Sequence, residues 1–218
     1  EGEIKVQSIW VFESENNKVE ISNITATRQK NLNGVNEDLT TELFVNEDVG
    51  EYIRCNLVVD EPKSIQARAL GKNLTSVILR NRYEAFYRPS DGNLVVYANK
   101  DAAHIIKDVF DEQFKLGYRE RTINLDEIIN TSNNVRKAQF KNVTIETVTG
   151  GMLNGDQVHN TELYGLMDRA GDLSTVAVVY PFLDKEISFS VSIYGSIVLY
   201  TNITYEECLE LINDLFNL

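Results

Sequence analysis

GNLVVYAN at residues 92–99 reappears as GSIVLYTN at residues 195–202. Each copy contains a turn glycine, a short apolar run with a tyrosine near its end, and an asparagine. A stretch with the apolar spacing of an amphipathic helix follows both copies. An internal repeat predicts the architecture of a chain, and this one therefore decides the fold prediction. It identifies no chemistry by itself.

The similarity between the two copies extends beyond these eight residues. At a constant offset of 103, residues 83–113 align with residues 186–216 without a gap. Upstream, residues 74–77 match residues 173–176 at an offset of 99, which gives the second copy four extra residues. Six of the 31 gapless positions are identical: Phe86/Phe189, Gly92/Gly195, Val95/Val198, Tyr97/Tyr200, Asn99/Asn202 and Asp111/Asp214.

The first copy is predicted to begin with a strand at residues 53–59, followed by a short helix. Pro62 suits the first turn of that helix, and Gly71 suits its C-terminal cap. Asp91-Gly92 is typical of a hairpin turn. The remaining predicted elements are strands at residues 74–80, 83–88 and 94–98, and a closing helix that starts after Asn99 and runs to about Lys115.

The second copy repeats this order. Thr204, with Glu207 three residues later, forms the capping-box pattern at the start of its closing helix. Before that helix we expect a strand at 143–149, a helix at 161–169 and strands at 175–180, 187–194 and 197–200. The predicted class is therefore α+β: two pseudo-symmetric β-α-β-β-β-α repeats that form an antiparallel sheet with long helices on one face.

Segments outside the two copies complete the predicted organisation. Residues 1–50 form an extension, residues 51–118 the first repeat, residues 119–138 a linker and residues 139–218 the second repeat. The extension is predicted to hold a β-hairpin, with Trp10 as a core anchor, and a short helix. The strands of this hairpin are predicted at residues 4–12 and 19–27, and the helix at residues 37–45. The linker is predicted to carry a short helix at residues 125–129. In the second repeat, Gly150-Gly151 is predicted to lie in a loop.

Composition predicts a chain with a core of its own. Hydrophobic residues make up 43% of the 218 residues, and no run reaches the ~18–20 apolar residues that a membrane helix needs. The opening Glu1-Gly2-Glu3 does not resemble a signal peptide and suggests a processed or trimmed chain. Cys55 and Cys208 lie in apolar patterns and are expected to be buried thiols. We expect a cytoplasmic protein, in which the five Asn-X-Ser/Thr sequences arise by chance.

The net charge of −12 is unevenly distributed. Residues 51–118 carry 10 basic and 9 acidic side chains, whereas residues 139–218 carry 3 basic and 11 acidic ones. The two repeats therefore share a pattern without sharing a potential, and long-range potential governs which partners approach.

No catalytic or metal-binding motif is present. The chain has two histidines, His104 and His159, and contains no His-x-x-x-His, Cys-x-x-Cys or Gly-x-Ser-x-Gly sequence. Gly150-Gly151 lacks the following Lys-Ser/Thr of a phosphate-binding loop. We therefore expect no enzymatic activity, no metal and no cofactor.

One stretch of the first repeat has the composition of a binding surface. Basic and aromatic side chains alternate there on two predicted neighbouring strands, a composition that suits phosphate and base contacts. Arg80 and Arg82 should share a face, because alternate residues of a strand do. Surface arginines that balance neighbouring acids are the alternative interpretation. The predicted nucleic-acid-binding residues are Arg80, Arg82, Tyr83, Tyr87 and Arg88.

The repeated pattern resembles the TATA-binding-protein fold. That family has two tandem copies of a strand, a helix, antiparallel strands and a long closing helix, which together form a saddle. GSIVLYTN at 195–202, followed by Glu206-Glu207, is similar to the family's glycine, apolar strand and acidic helix start. The resemblance covers about residues 51–116 and 139–218. It implies a concave sheet that binds DNA. The family has paired wedge phenylalanines; Phe86 and Phe189 are repeated phenylalanines on a central strand, but core packing explains them equally well.

The leading functional expectation is a non-enzymatic nucleic-acid-binding module that contacts DNA or RNA mainly through the first repeat. The alternative is a protein-interaction module, or an acidic DNA-mimic or adaptor domain of a larger assembly. In that case a basic protein partner would dock on the acidic second repeat. Neither hypothesis involves a membrane.

Overall fold

Antiparallel strands and α-helices build the chain, which divides into two units. One unit comprises residues 10–119, and the other comprises residues 120–218 together with residues 1–9. The computed structural model describes residues 8–16, 19–69 and 71–217. The predicted α+β class is confirmed.

In the first unit the strands are arranged in the order β2-β3-β4-β5-β6-β1, with β7 paired to β1. Helix α1 (Lys100–Phe114) packs against β4 and β6. Its Ile106 and Phe110 are fully buried in the core of the unit. The strands are β1 (Ser8–Ser14), β2 (Ile24–Leu32), β3 (Val35–Val49), β4 (Tyr52–Ala69), β5 (Lys72–Tyr87), β6 (Leu94–Tyr97) and β7 (Tyr118–Glu120).

The predicted N-terminal hairpin is wrong in its pairing. β1 lies beside β6, whereas β2 pairs with β3 through a turn at Asn33-Gly34. Both turn residues have positive φ, 53° and 86°, as a two-residue hairpin turn requires. Residues 9–12 are all buried, which is typical of a strand covered on both faces. Trp10 is confirmed as a core residue, and predicted strand residues 4–7 lie outside the described residues.

The predicted helix at residues 37–45 is also wrong, because this segment belongs to β3. Leu39, Thr41 and Leu43 are buried at a spacing of two, the period of a strand. A helix would place Phe44 on the same side as Leu39 and Leu43, but the Phe44 side chain faces solvent.

The predicted helix between Pro62 and Gly71 is replaced by the second half of β4. The described residues of this segment pair with β5, and the two strands predicted at 74–80 and 83–88 are one continuous β5. β3 pairs with β4 only as far as Val59. Pro62 therefore lies where β4 has lost one neighbour, a position that tolerates a residue without an N–H.

In the second unit the strand order is β12-β11-β10-β8-β9. Helix α2 (Leu125–Thr131) contacts β10, and α3 (Glu162–Ala170) contacts β8. The strands are β8 (Asn134–Ile145), β9 (Val148–Asn154), β10 (Asp172–Phe182), β11 (Lys185–Ser192) and β12 (Ser196–Leu199); a short 3-10 helix spans Val158–Asn160, and the closing helix is α4 (Tyr205–Asn217).

Two sequence assignments in the second unit need correction. The strand predicted at 143–149 is the junction of two strands, since β8 ends at Ile145 and β9 starts at Val148. Gly150-Gly151 lies within β9, paired with Phe140 and Lys141, and not in a loop. Glu146, with a φ of 48°, occupies the turn between the two strands. The short helices predicted at 125–129 and 161–169 are confirmed as α2 and α3.

The repeated sequence corresponds to a shared order of elements. Three antiparallel strands and a helix, β4-β5-β6-α1 in one unit and β10-β11-β12-α4 in the other, contain the matching stretches. Gly92 and Gly195 have the same φ of 73° in their turns. The complete β-α-β-β-β-α unit does not occur in residues 51–118, because their first helix is absent from the described residues. Duplication therefore stays a prediction.

The start of each closing helix follows the sequence prediction. The Asn99 side chain accepts a hydrogen bond from the Ala102 N–H at 3.1 Å and caps α1. In α4, the Thr204 hydroxyl accepts from the Glu207 N–H at 3.2 Å, and the Glu207 carboxylate accepts from the Thr204 N–H at 3.0 Å. These bonds satisfy N–H groups that have no partner within the helix.

Val109 in α1 and Ile212 in α4 are both buried, as their aligned positions predict. We expect Val109→Ala to lower the free energy of unfolding by about 1 kcal/mol and Ile212→Ala by about 2–5 kcal/mol, because each leaves a cavity. Urea denaturation measures both changes. Glu112→Ala and Glu210→Ala, on exposed positions of the same helices, should leave the midpoint nearly unchanged. An unmoved midpoint for Val109→Ala or Ile212→Ala would contradict this account of the core.

Candidate functional site

Arg80 and Arg82, the two arginines predicted to share a face, are both exposed on β5. Arg80 Nη2 lies 2.7 Å from Glu42 Oε2, in an ion pair whose arginine side chain is 56% exposed. The Arg82 side chain forms no ion pair or hydrogen bond with another described residue, and only its backbone pairs, with Val58 of β4. Of the two guanidinium groups, Arg82 is the one fully available to a ligand.

The two predicted tyrosines lie on the opposite face of β5. The Tyr83 hydroxyl donates a hydrogen bond to Glu61, which is only 3% exposed and also accepts from Asn81 Nδ2 at 2.8 Å. Burial and the neighbouring Glu61 carboxylate raise the pKa of Tyr83 to about 12. Tyr87 is completely buried and donates to the Val19 carbonyl at 2.8 Å. Both rings therefore stabilise the unit and do not form a surface with the arginines.

Arg88, the fifth predicted residue, stabilises the turn after β5. Its Nε lies 3.0 Å from Asp91 Oδ1, and its Nη2 binds the other oxygen of the same carboxylate. The guanidinium also lies 5.4 Å from the centre of the Tyr52 ring. The structure therefore brings Arg80 and Arg82 together and places Arg88 in a separate, largely buried cluster.

The hairpin that carries Arg80 and Arg82 projects beyond its neighbouring strands. β3 pairs with β4 up to Val59, and β6 pairs with β5 only from Glu84. Between these limits, β4 and β5 pair only with each other in the described register, out to Ala69 and Lys72. We call this two-stranded segment, residues 62–69 of β4 and 72–82 of β5, the basic ribbon.

The basic ribbon has a composition unlike that of the rest of the chain. Residues 62–83 contain five basic side chains and no acidic one, in a protein whose net charge is −12. All five are exposed: Lys63, Arg68, Lys72, Arg80 and Arg82. Lys63, Arg68 and Lys72 are not among the residues predicted from the sequence, because part of this stretch has the pattern of a short helix. The acid-free interval between Glu61 and Glu84 is the signal that identifies them.

Besides the Glu61 hydrogen bonds at its base, a contact with the β2–β3 turn fixes the ribbon to its own unit. Asn33, in the β2–β3 turn, donates from Nδ2 to Thr75 Oγ1 at 2.6 Å and to Ser76 Oγ at 2.9 Å. From this contact the ribbon continues as a tip, residues 64–69 of β4 and 72–76 of β5. The tip carries Arg68 and Lys72, and its described side chains are mostly exposed.

In the second unit, the strands β10 and β11 provide no comparable basic surface. The Tyr180 hydroxyl donates to Asp214 Oδ2 at 3.2 Å. Burial and, to a smaller extent, the Asp214 carboxylate raise the pKa of Tyr180 to about 12. Neither strand contains an arginine, and Lys185 binds Glu207 at 2.6 Å.

A cleft of about 420 Å³ opens within the second unit, and its charged lining is mainly acidic. Asn142 Nδ2 donates to Asp172 Oδ2 at 2.8 Å, and Lys141 Nζ lies 5.9 Å from the centre of the Tyr194 ring. The lining residues are Ile123, Asn124, Leu125, Asp126, Lys141, Asn142, Asp168, Asp172, Leu173, Ser174, Ile193 and Tyr194.

Two other kinds of site are absent from the part of the chain that the structure describes. Residues 8–16, 19–69 and 71–217 contain no group of three or more His, Cys, Asp or Glu side chains that could hold a metal ion. Within those ranges no helix has both the length and the apolar character required to cross a membrane. Cys55 and Cys208 are confirmed as buried thiols, and burial raises the pKa of Cys55 to about 12.

No protein-family model matches this chain, and no curated protein matches its sequence significantly. The resemblance to the TATA-binding-protein family stays a prediction from the sequence pattern.

The Glu61–Tyr83 pair at the base of the ribbon gives a prediction about pH. In Glu61→Gln the negative neighbour is lost, so the pKa of Tyr83 should fall from about 12 towards its usual value of 10. Because the folded state raises this pKa, the stability it contributes is complete below pH 10 and disappears as the pH rises through about 12. Ultraviolet absorbance titration measures the shift, with Tyr83→Phe identifying the Tyr83 signal. An unchanged Tyr83 titration in Glu61→Gln would contradict the proposed coupling.

Proposed function

We propose that this protein is a non-enzymatic nucleic-acid-binding module that contacts phosphates through the basic ribbon. The observation that supports the proposal is the set of five exposed cations on an acid-free hairpin. Phosphate contacts from Lys and Arg provide most of the sequence-independent affinity for nucleic acids, because they release condensed counterions. A hairpin whose charged side chains are all positive suits this role, even in a chain with a negative net charge.

The ribbon also offers groups for hydrogen bonding between its cations. Exposed Ser64, Gln66, Asn73 and Thr75 alternate with the basic residues along the two strands. Hydroxyl and amide side chains contribute many of the contacts that position proteins on a phosphate backbone. The combination favours a polyanion with regularly spaced acceptors over a single small anion.

The central test removes Arg80 and Arg82, the two arginines that the sequence analysis predicted and that lie exposed on β5. Arg80→Ala/Arg82→Ala should weaken binding to all nucleic-acid sequences alike. The slope of log K against log salt should flatten by about two on duplex DNA, one unit for each lost phosphate contact. Mobility-shift titrations over a range of salt concentrations measure both quantities.

Lys100→Ala/Arg119→Ala is the matched control for this variant. It removes the same charge from two exposed positions of the first unit that lie outside the ribbon. We expect its salt slope to equal that of the unmodified protein. The absence of any shift at low salt, with DNA or RNA and with single or double strands, would reject the proposed function.

The Arg80–Glu42 ion pair gives an independent prediction of opposite sign. Glu42→Gln releases Arg80 from its partner, so the affinity for nucleic acid should increase several-fold. The control is Glu37→Gln, which removes an equal charge from an exposed residue of β3 that forms no ion pair with an arginine of the described residues. Comparing the two variants separates the freed guanidinium from the general loss of negative charge. Equal affinities for Glu42→Gln and Glu37→Gln would show that Arg80 does not contact the ligand.

A second candidate function is supported by the acidity of residues 139–218. Their 11 acidic side chains outnumber the 3 basic ones, and Asp126, Asp168 and Asp172 line one cleft. A Lys/Arg-rich segment of a partner protein would suit this cleft. Titration with a Lys/Arg-rich peptide tests it, since Asp126→Asn/Asp168→Asn/Asp172→Asn should abolish binding; unchanged binding would exclude the cleft.

A further inference from the structure

We infer that the ligand of the basic ribbon is double-stranded DNA in the B form, with the ribbon tip inserted into the major groove. This inference rests on the proposed function and narrows it to one nucleic-acid structure. It depends on the aromatic content, dimensions and charge distribution of residues 62–82.

The ribbon lacks the side chains that hold single-stranded nucleic acid. Residues 62–82 contain no Phe, Tyr or Trp. Proteins that bind single strands without sequence preference stack successive bases on aromatic rings, each worth about 1–3 kcal/mol. The next aromatic residue, Tyr83, is bonded to Glu61 on the side of the buried core. Cations without a stacking platform favour a duplex, whose bases already stack on each other.

The dimensions of the tip match the B-form major groove. Two paired strands lie about 4.8 Å apart, and the major groove is about 12 Å wide and 8.5 Å deep, wide enough for a two-stranded ribbon. Register pairs from Ser64/Ser76 to Ala69/Lys72 lie at or beyond the Asn33 contact. Five residues at about 3.3 Å each give this tip a length of roughly 16 Å, which exceeds the depth of the groove.

The cations lie on both faces of the ribbon. Lys72, Arg80 and Arg82 occupy alternate positions of β5 and share one face. Lys63 is paired with Val77, and Arg68 is paired with Asn73, so both belong to the opposite face. A ribbon lying flat on a polyanion would use one face only. Cations on both faces suit a ribbon between two walls, and phosphates line both sides of the major groove.

Position along the ribbon divides the basic residues into two roles. Arg68 and Lys72 are in the tip, near the exposed amides of Gln66 and Asn73. Arginine suits the guanine edge in the major groove, and the Asn and Gln amides suit the adenine edge. Arg80 and Arg82 lie roughly 26–33 Å from Lys72 along β5 at about 3.3 Å per residue, and would contact phosphates outside the groove.

This arrangement excludes duplex RNA as an equal ligand. The major groove of A-form RNA is deep and too narrow for side chains to read. The ribbon can then contact only the outer phosphates of an RNA duplex. We expect duplex DNA to bind at least about tenfold more tightly than duplex RNA or either single DNA strand at the same salt concentration, comparable to one good bidentate base contact.

Fluorescence anisotropy competition provides the first experiment. The probes are a DNA duplex of about two helical turns, its separate strands and the RNA duplex of the same sequence. Arg68→Ala/Lys72→Ala should reduce the preference for duplex DNA, whereas Arg80→Ala/Arg82→Ala should weaken all four probes alike. Equal affinity for all probes would overturn this inference and leave the proposed function standing. No binding to any probe would reject both.

Dimethyl sulfate protection provides the second experiment and identifies the groove. Guanine N7 lies in the major groove and adenine N3 in the minor groove. The unmodified protein should protect guanine N7, and Arg68→Ala should lose part of that protection while its thermal midpoint stays unchanged. Protection confined to adenine N3 would overturn the inference even if duplex DNA is preferred.

Discussion

The basic ribbon depends on one hydrogen bond at the point where β3 leaves β4. The last paired residues of β3 and β4 at this end are Thr41 and Val59, and the next pair would be Thr40 and Asp60. The Thr40 N–H donates to the Asp60 side chain, at 2.9 Å from Oδ2, and not to the Asp60 backbone carbonyl. Backbone N–H groups removed from water require a partner, and the Asp60 side chain replaces the missing strand contact. Because β3 can end its pairing there without an unsatisfied donor, β4 and β5 can continue as a pair.

The base of this pair is held by a polar cluster that a strand sequence alone would not suggest. Glu61 is buried next to Lys63, Asn81 and Tyr83, and accepts hydrogen bonds from the last two. A buried carboxylate is stable only when its oxygens are bonded, so this cluster fixes the direction in which the ribbon leaves the unit. The Asn33 contact fixes it a second time, near the tip. A surface ordered before binding loses less conformational entropy when it binds.

The sequence predicted those elements whose signals are local. Asn99 and Thr204 carry the caps of their helices in their own side chains, and the positive φ of Gly92 and Gly195 is readable from a turn pattern. The failures are at residues 37–45 and 62–71, where strand and helix periods compete and tertiary pairing decides between them. Pro62 favoured a helix start, but the loss of β3 as a neighbour makes a strand equally acceptable at this position. Arg80 and Arg82 could be proposed from the sequence because they lie on a predicted strand. Lys63 and Arg68 fall in the incorrectly predicted helix, and Lys72 lies directly after it.

The acidity of the rest of the first unit does not prevent a basic hairpin from acting on a polyanion. Outside residues 62–83, residues 10–119 contain 17 acidic and 9 basic side chains. At about 0.1 M salt the Debye length is about 10 Å, whereas the ribbon reaches roughly 30 Å from Asp60 to its end. Screening therefore separates the tip cations from the acids beyond the base, and their attraction for phosphate is governed by the ribbon's own charge. Arg80, paired with Glu42, and Lys63, 3.8 Å from Glu61, are the cations of the set that screening protects least. The length of the hairpin therefore determines how weakly the acids of the unit act on the tip cations.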